Sequence, residues 1–279
     1  MMSERFSSIK VFESMVLAVL FLGCSAIATV AHAASVEIQT AKERENERKA
    51  QLDSKLIYMA QLGEIDEVES LLSEGANINA RDVDGLTPLM YAALKGHMAT
   101  VEVLIRNGAD PNLTDGYGDT ALMQAAWAGH SGIVRVLAAE GAGVNLRKNA
   151  EVARLKKMSV TPLMAAAMNG NTESARILIQ DGAKLNLQDD DGRTALMYAV
   201  SGGYPDMVRL LLSKKANTEI HDKYGRTPLM VATIHDDARI IRELLAGGAN
   251  PNARDINNLT AARYAQALNY NQIYLMLTK

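Results

Sequence analysis

The stretch DGLTPLMYAALKGH, residues 84–97, contains the pattern that decides the fold. Its tetrapeptide Thr-Pro-Leu-Met occurs five times along the chain, with either Pro or Ala in second place. The threonines that open these copies, and one more that keeps their register, are Thr87, Thr120, Thr161, Thr194, Thr227 and Thr260. They are spaced by 33, 41, 33, 33 and 33 residues. A period of this length predicts a repeat protein whose units stack side by side.

Each unit is predicted to contain two short helices and an exposed turn. A threonine before an apolar run is a typical helix N-cap, and the proline that follows it in three units suits the first helical position. Alanine pairs such as Ala92-Ala93 allow close helix packing, and glycines such as Gly96 can end this first helix. A second helix ends at a Gly-Ala pair, which Lys215-Ala216 replaces in one unit, and turns such as Asp84-Gly85 connect the units.

These coincident markers resemble those of ankyrin repeats over residues 54–279. The resemblance implies an all-α solenoid of stacked helix-turn-helix units, with finger loops that project over a concave groove. The atypical first and last units are expected, because terminal units must face water. The predicted units are 54–81, 82–114, 115–147, 148–188, 189–221, 222–254 and 255–279.

The chain departs from the ankyrin pattern at the fourth position of the tetrapeptide. Ankyrin units usually have histidine there, which hydrogen-bonds between neighbouring units, whereas all five copies here have methionine. Methionine fills irregular gaps well but cannot replace the histidine donor. We therefore expect the stack to be held more by packing than by polar contacts. Copper binding by these methionines is the alternative, and their regular spacing on a buried edge favours packing.

The first 33 residues resemble a targeting segment. A charged start precedes an apolar run from Met15 to Val30, and Ala31-His32-Ala33 provides the small residues that a signal peptidase recognises. We predict cleavage after Ala33 and a periplasmic location. A retained membrane anchor, or a lipoprotein cut before Cys24, remain alternatives. The charged segment that follows, residues 34–53, is predicted to be a polar helical leader or a linker.

Composition and motifs argue against several functional classes. A net charge of −3 provides no general basic field for nucleic acid. The single cysteine, Cys24, excludes an internal disulfide framework and a cysteine-based zinc site. The histidines have no metal-ligand spacing, and phosphate-binding and nucleophile motifs are lacking. We expect no catalysis, cofactor or metal, a monomeric state, and membrane contact only if the targeting segment is retained.

A row of side chains is predicted to form the partner-binding surface. Seven residues after the repeat threonines stand Leu94, Trp127, Met168, Ser201 and Ile234. Four of the five are apolar, at a position that the ankyrin resemblance places in the groove. Finger residues that would surround this row are Tyr117, Asp119, Arg193, Tyr224 and Arg226. An apolar centre with a polar rim is typical of binding hot spots. The alternative is that Trp127 folds back over the alanine face of its own unit.

One finger is longer than the others. Sixteen residues separate Asn145 from Thr161, whereas eight separate the equivalent residues elsewhere. This segment contains five basic residues and one acidic residue, and the partner-binding prediction includes three of the basic ones: Arg154, Lys156 and Lys157. A basic extension on an acidic body suits an acidic partner surface or anionic lipid, and the alternative is a solvated loop without function.

The sequence therefore predicts an exported protein–protein interaction module. It would bind a protein partner of unknown identity through its groove and fingers, without a reaction of its own, because a rigid repeat surface loses little entropy on binding. The alternative is an exported effector or inhibitor that blocks a target enzyme sterically. The fold does not specify the partner.

Overall fold

The computed structural model describes residues 24–147 and 159–278, with side chains from residue 29 onward. The chain divides into two units, Met1–Leu52 and Asp53–Lys279. The described residues form helices and turns and contain no strand, which confirms the predicted all-α class. Most of the predicted targeting segment lies outside them. None of the helices in residues 24–147 and 159–278 combines the length and apolarity needed to cross a membrane.

Fourteen helices follow one another in the described part of the chain. They are α1 (Cys24–Leu62), α2 (Ile65–Ser73), α3 (Pro88–Lys95), α4 (Met98–Arg106), α5 (Ala121–Ala128), α6 (Ser131–Ala139), α7 (Pro162–Met168), α8 (Thr172–Gln180), α9 (Ala195–Ser201), α10 (Pro205–Ser213), α11 (Pro228–Ile234), α12 (Ala238–Ala246), α13 (Ala261–Ala267) and α14 (Asn271–Leu277). Residues 34–53, the predicted leader, lie within α1.

The first helices of the repeats begin as the threonines predict. In α3 the side chain of Thr87 accepts a hydrogen bond from the Met90 amide at 3.3 Å, and the same cap precedes α5, α7, α9, α11 and α13. Met90 returns a contact, since its Sδ accepts the Thr87 amide at 3.4 Å. The five tetrapeptide methionines are 1–2% exposed, as core packing requires.

The ends of these helices agree only partly with the glycine prediction. Gly96 and Gly129 end α3 and α5 as left-handed C-caps, with φ of 83° in both. In α7 and α9 the helix ends one residue earlier, at Met168 and Ser201. The left-handed glycine then follows the C-cap residue instead of occupying it.

The helices of the repeat unit pack in two layers. The inner helices α3, α5, α7, α9, α11 and α13 each contact the next inner helix, and the outer helices from α2 to α12 do the same. The alanine pairs of the inner helices are fully buried, which allows this close stacking. The connections from each outer helix to the next inner helix are the fingers. We call the exposed side of the inner helices, together with the fingers, the groove.

Polar contacts between units are more extensive than the methionines led us to expect. Asn79 accepts the Asp110 amide at 3.0 Å through its side-chain oxygen, and equivalent bonds recur at later units. The Nε2 atom of His97 lies 3.0 Å from the carbonyl oxygen of Gln61, and the Nε2 atom of His130 lies 3.1 Å from the carbonyl oxygen of Leu94. Side chains outside the tetrapeptide therefore provide polar contacts between neighbouring units.

Candidate protein-binding groove

An aspartate five residues before the repeat threonine folds each regular finger. Asp82 accepts the amides of Asp84 and Leu86 through one carboxylate oxygen, at 3.0 and 2.8 Å. Four further aspartates make the same pair of bonds: Asp115, Asp189, Asp222 and Asp255. Our sequence analysis missed this role, although the aspartates recur in register with the threonines. Because of these hydrogen bonds, the five regular fingers are preformed.

The second carboxylate oxygen ties the finger to its inner helix. The Tyr91 hydroxyl donates to Asp82 at 2.7 Å, and Tyr198 and Tyr264 donate to Asp189 and Asp255. The hydrogen bond to Asp82, with burial, raises the pKa of Tyr91 to about 12. Burial and the bond to Asp255 also raise the pKa of Tyr264 to about 12.

The fourth unit holds its finger differently. Ala165 replaces the tyrosine, and Lys156 stands at the aspartate position, outside the described residues. The end of this finger is instead fixed by the next one, since the amide and hydroxyl of Ser159 donate to Asp190 at 3.1 and 2.9 Å. Arg154 and Lys157 also lie outside the described residues. The basic-finger prediction therefore stays a prediction.

Trp127 is exposed to solvent on a helix that buries five of its eight residues. The residue is 51% exposed, whereas Ala125 and Ala126 immediately before it are fully buried. This exposure argues against the alternative in which the indole covers the alanine face. The neighbouring row residues Leu94 and Met168 are half-buried.

The finger residues predicted to surround the row have different exposures. Tyr224 is 46% exposed, and the Arg226 guanidinium lies 4.6 Å from its ring centroid. Tyr117 and Asp119 are half-buried, and their backbone amides belong to the Asp115 turn. The backbones of the five regular fingers are held by hydrogen bonds, so little conformational entropy would be lost there when a partner binds.

The structure brings four of the row and finger positions together between the fifth and sixth units. They line an open pocket of about 130 Å³ between α9 and α11. Its residues are Arg193, Met197, Ser201, Asp222, Arg226, Val231, Ile234 and His235. Trp127, two units away along the row, does not line it. The sequence analysis named four of these eight residues, Arg193, Ser201, Arg226 and Ile234, and did not predict the pocket.

Comparison with known proteins agrees with this geometry. The family model described as "Ankyrin repeats (3 copies)" matches residues 56–149, 146–223 and 163–255, so the chain belongs to the ankyrin-repeat family. The crystal structure of the human ASB11 ankyrin repeat domain is similar, with a TM-score of 0.71 and 25% sequence identity. The match covers 80% of this chain and 97% of that one. A search of curated protein sequences gave no match. Ankyrin repeats generally mediate protein–protein interaction.

Proposed function

We propose that the groove of this ankyrin-repeat protein binds a protein partner, with Trp127 at the centre of the contact and no reaction of its own. The single observation that carries the proposal is the half-exposed Trp127 on a helix that buries five of its eight residues. Tryptophan is enriched among the residues that dominate binding energy. Its large rigid ring also loses little conformational entropy when a partner covers it.

The basic finger is proposed to speed association with an acidic partner surface. Arg154, Lys156 and Lys157 belong to a segment whose charge is opposite to that of the chain as a whole. Exposed charges of one sign attract a complementary surface over distances that salt screens. This role adds to the rate of encounter, while the apolar row provides the lasting contact.

The periplasm is the proposed location. The support is the sequence alone: a charged start, an apolar run and Ala31-His32-Ala33. Cleavage after Ala33 would remove Cys24, the only cysteine, and leave a chain without thiols. A chain without thiols cannot form disulfide bonds in an oxidising compartment.

Photo-cross-linking in living cells tests the binding surface. A photoreactive phenylalanine analogue replaces Leu94 or Tyr224 in the groove, and Arg135 on the outer helix α6 is the matched exposed control. We expect a discrete adduct from the groove positions and none from the control. Adducts from the control position alone would contradict the proposal. If the captured partner is an enzyme that the protein inhibits, the alternative of a steric inhibitor gains support.

A further inference from the structure

We infer that the pocket between α9 and α11 binds the carboxylate of a glutamate side chain, carried by a partner segment that runs along the groove. This inference rests on the proposed function and assigns a chemistry to the partner. The pocket is lined by two arginines and three apolar residues, and it includes Ser201 and Ile234 of the row that contains Trp127. A glutamate offers both an aliphatic stem and a bidentate acceptor, which match these two parts.

The two arginines occupy equivalent positions in consecutive fingers. Arg193 immediately precedes Thr194, and Arg226 immediately precedes Thr227. The same position holds Leu86, Asp119, Val160 and Leu259 in the other units. The arginine pair is therefore confined to the fifth and sixth units, and the stacking of those units places both guanidinium groups around one pocket.

Arg226 is held in a fixed orientation before any ligand binds. Its Nε and Nη2 lie 2.8 and 2.6 Å from one carboxylate oxygen of Asp222, and its guanidinium lies over the ring of Tyr224. The side chain of Asp222 is only 2% exposed, and its other oxygen accepts two backbone amides. Both carboxylate oxygens of Asp222 are thus occupied by hydrogen bonds within the finger, so Asp222 offers little repulsion to an incoming carboxylate.

Arg193 supplies a second positive charge to the pocket lining. Its guanidinium lies 6.0 Å from the centroid of the Tyr198 ring, and no salt bridge in residues 29–147 and 159–278 includes it. One carboxylate and two guanidinium groups leave the lining with a net positive charge. A buried or half-buried arginine pair binds a carboxylate more strongly than a surface lysine does, because its donors are planar and paired.

Ser201 explains why a pocket exists at this point of the row. It is the only small residue among the five row positions, and the space above it is bounded by Met197, Val231 and Ile234. These side chains suit the methylene stem of a glutamate. The row continues on both sides, at Met168 and Ile234. A continuous segment can therefore pass through, which favours a side-chain carboxylate over the carboxylate at a chain end.

Selection from a random peptide library displayed on phage, with the purified chain as target, tests this inference. We expect the selected peptides to share a glutamate beside apolar residues. A synthetic copy of a selected peptide is expected to bind the Arg193→Gln protein roughly tenfold more weakly than the wild-type protein. Ser201→Leu, which fills the pocket without changing its charge, should weaken binding similarly. Arg135→Gln on the outer helix is the matched control and should leave affinity unchanged.

Three results on the same peptide complete the test. Glutamine in place of the shared glutamate should reduce the affinity for the wild-type protein by a similar factor. The same change in the peptide should have little effect on its affinity for the Arg193→Gln protein. Amidation of the peptide C-terminus should have no effect, and a loss on amidation would assign the pocket to a chain end. Failure to enrich an acidic position, or unchanged affinity in the folded Arg193→Gln and Ser201→Leu proteins, overturns the inference.

Trp127→Ala separates this inference from the proposed function. Peptides whose binding requires Trp127 but not Arg193 would support the proposed groove contact and overturn the glutamate pocket. Peptides that need Arg193 but not Trp127 would support the pocket and contradict a contact centred on Trp127. The two assignments can therefore fail independently.

Discussion

The side-chain amide of Asn171 donates a hydrogen bond to the carbonyl oxygen of Trp127 at 2.8 Å, across the boundary between two consecutive repeats. Asn169 donates to the same oxygen at 2.8 Å. The backbone at Trp127 is therefore fixed by the following unit, while its indole remains half-exposed. These bonds involve the carbonyl group, so removal of the indole leaves them in place. A substitution at position 127 can therefore test binding separately from folding.

Lys215 is a strained residue in a position where other units have glycine. Its φ is 67°, and the equivalent glycines Gly75, Gly108, Gly141, Gly182 and Gly248 have φ between 83° and 95°. Lys215→Gly should raise the free energy of unfolding by about 0.5–1 kcal/mol, because relief of left-handed strain exceeds the added entropy of the unfolded chain. Urea denaturation measures this change.

The reverse substitution, Gly182→Lys, is the control for Lys215. A Cβ at Gly182 meets no atom within 4 Å, so the cost would come from the backbone alone. We expect destabilisation of similar size. Unchanged stability in both variants would show that the left-handed conformation carries no cost at this turn.

Tyr91→Phe should destabilise the protein by about 1 kcal/mol at neutral pH, because Asp82 loses a hydroxyl donor. The pKa of Tyr91 is raised from 10.0 to about 12 in the folded state. Its contribution is therefore fully present below pH 10 and is lost as pH rises toward 12, since the unfolded chain releases the proton first. Denaturation of both proteins across this alkaline range measures the difference.

The stability gap between wild type and Tyr91→Phe should narrow above pH 10. Tyr58→Phe, which alters an exposed tyrosine on α1, is the control and should change stability little at any pH. A difference in the free energy of unfolding that stays constant from neutral to strongly alkaline pH would contradict the donation of a hydrogen bond from the neutral Tyr91 hydroxyl to Asp82.

The exported protein should begin at Ala34. Intact mass spectrometry of the protein from a periplasmic fraction measures this directly, and the expected mass corresponds to residues 34–279. A mass that starts at Met1 in a membrane fraction would support the retained anchor. A lipid-modified mass that starts at Cys24 would support the lipoprotein.

Neutralisation of the basic finger should slow association without loss of stability. Replacement of Arg154, Lys156 and Lys157 by glutamine should reduce the association rate at low salt and leave the rate at high salt nearly unchanged, because salt screens exposed charges. Stopped-flow kinetics with the captured partner measures both rates. The matched control makes the same charge change on the outer helices, at Arg106, Arg135 and Arg242. Equal slowing by both variants would indicate a general charge effect.

The repeat architecture was predictable because its signals are local and repeated. Thr87 and its equivalents cap the inner helices as the sequence indicates, and Gly96 ends α3. The termination of α7 at Met168 was not predictable to the residue, since an asparagine and a glycine follow each other there. The Asp82–Tyr91 tie was also missed, because it joins residues on different elements, although its spacing of nine residues recurs in three units.

The candidate site was predictable as a row but not as a surface. The seven-residue offset from Thr120 identified Trp127, and the structure shows that its indole is exposed. The pocket over Ser201 depends on how α9 and α11 stack, and on the absence of a large side chain at one position. Neither feature follows from helix periodicity alone.

Trp127→Ala provides the most direct measurement, with partner affinity and melting temperature recorded on the same preparation. We expect binding to weaken by about 2 kcal/mol or more, with a nearly unchanged melting temperature, because the exposed indole contributes little to the core. Tyr274→Ala, a partly exposed aromatic on α14, is the control and should retain partner affinity. A loss of about 3–5 kcal/mol in folding stability, with affinity intact below the transition, would show that Trp127 is a core residue and contradict the groove contact.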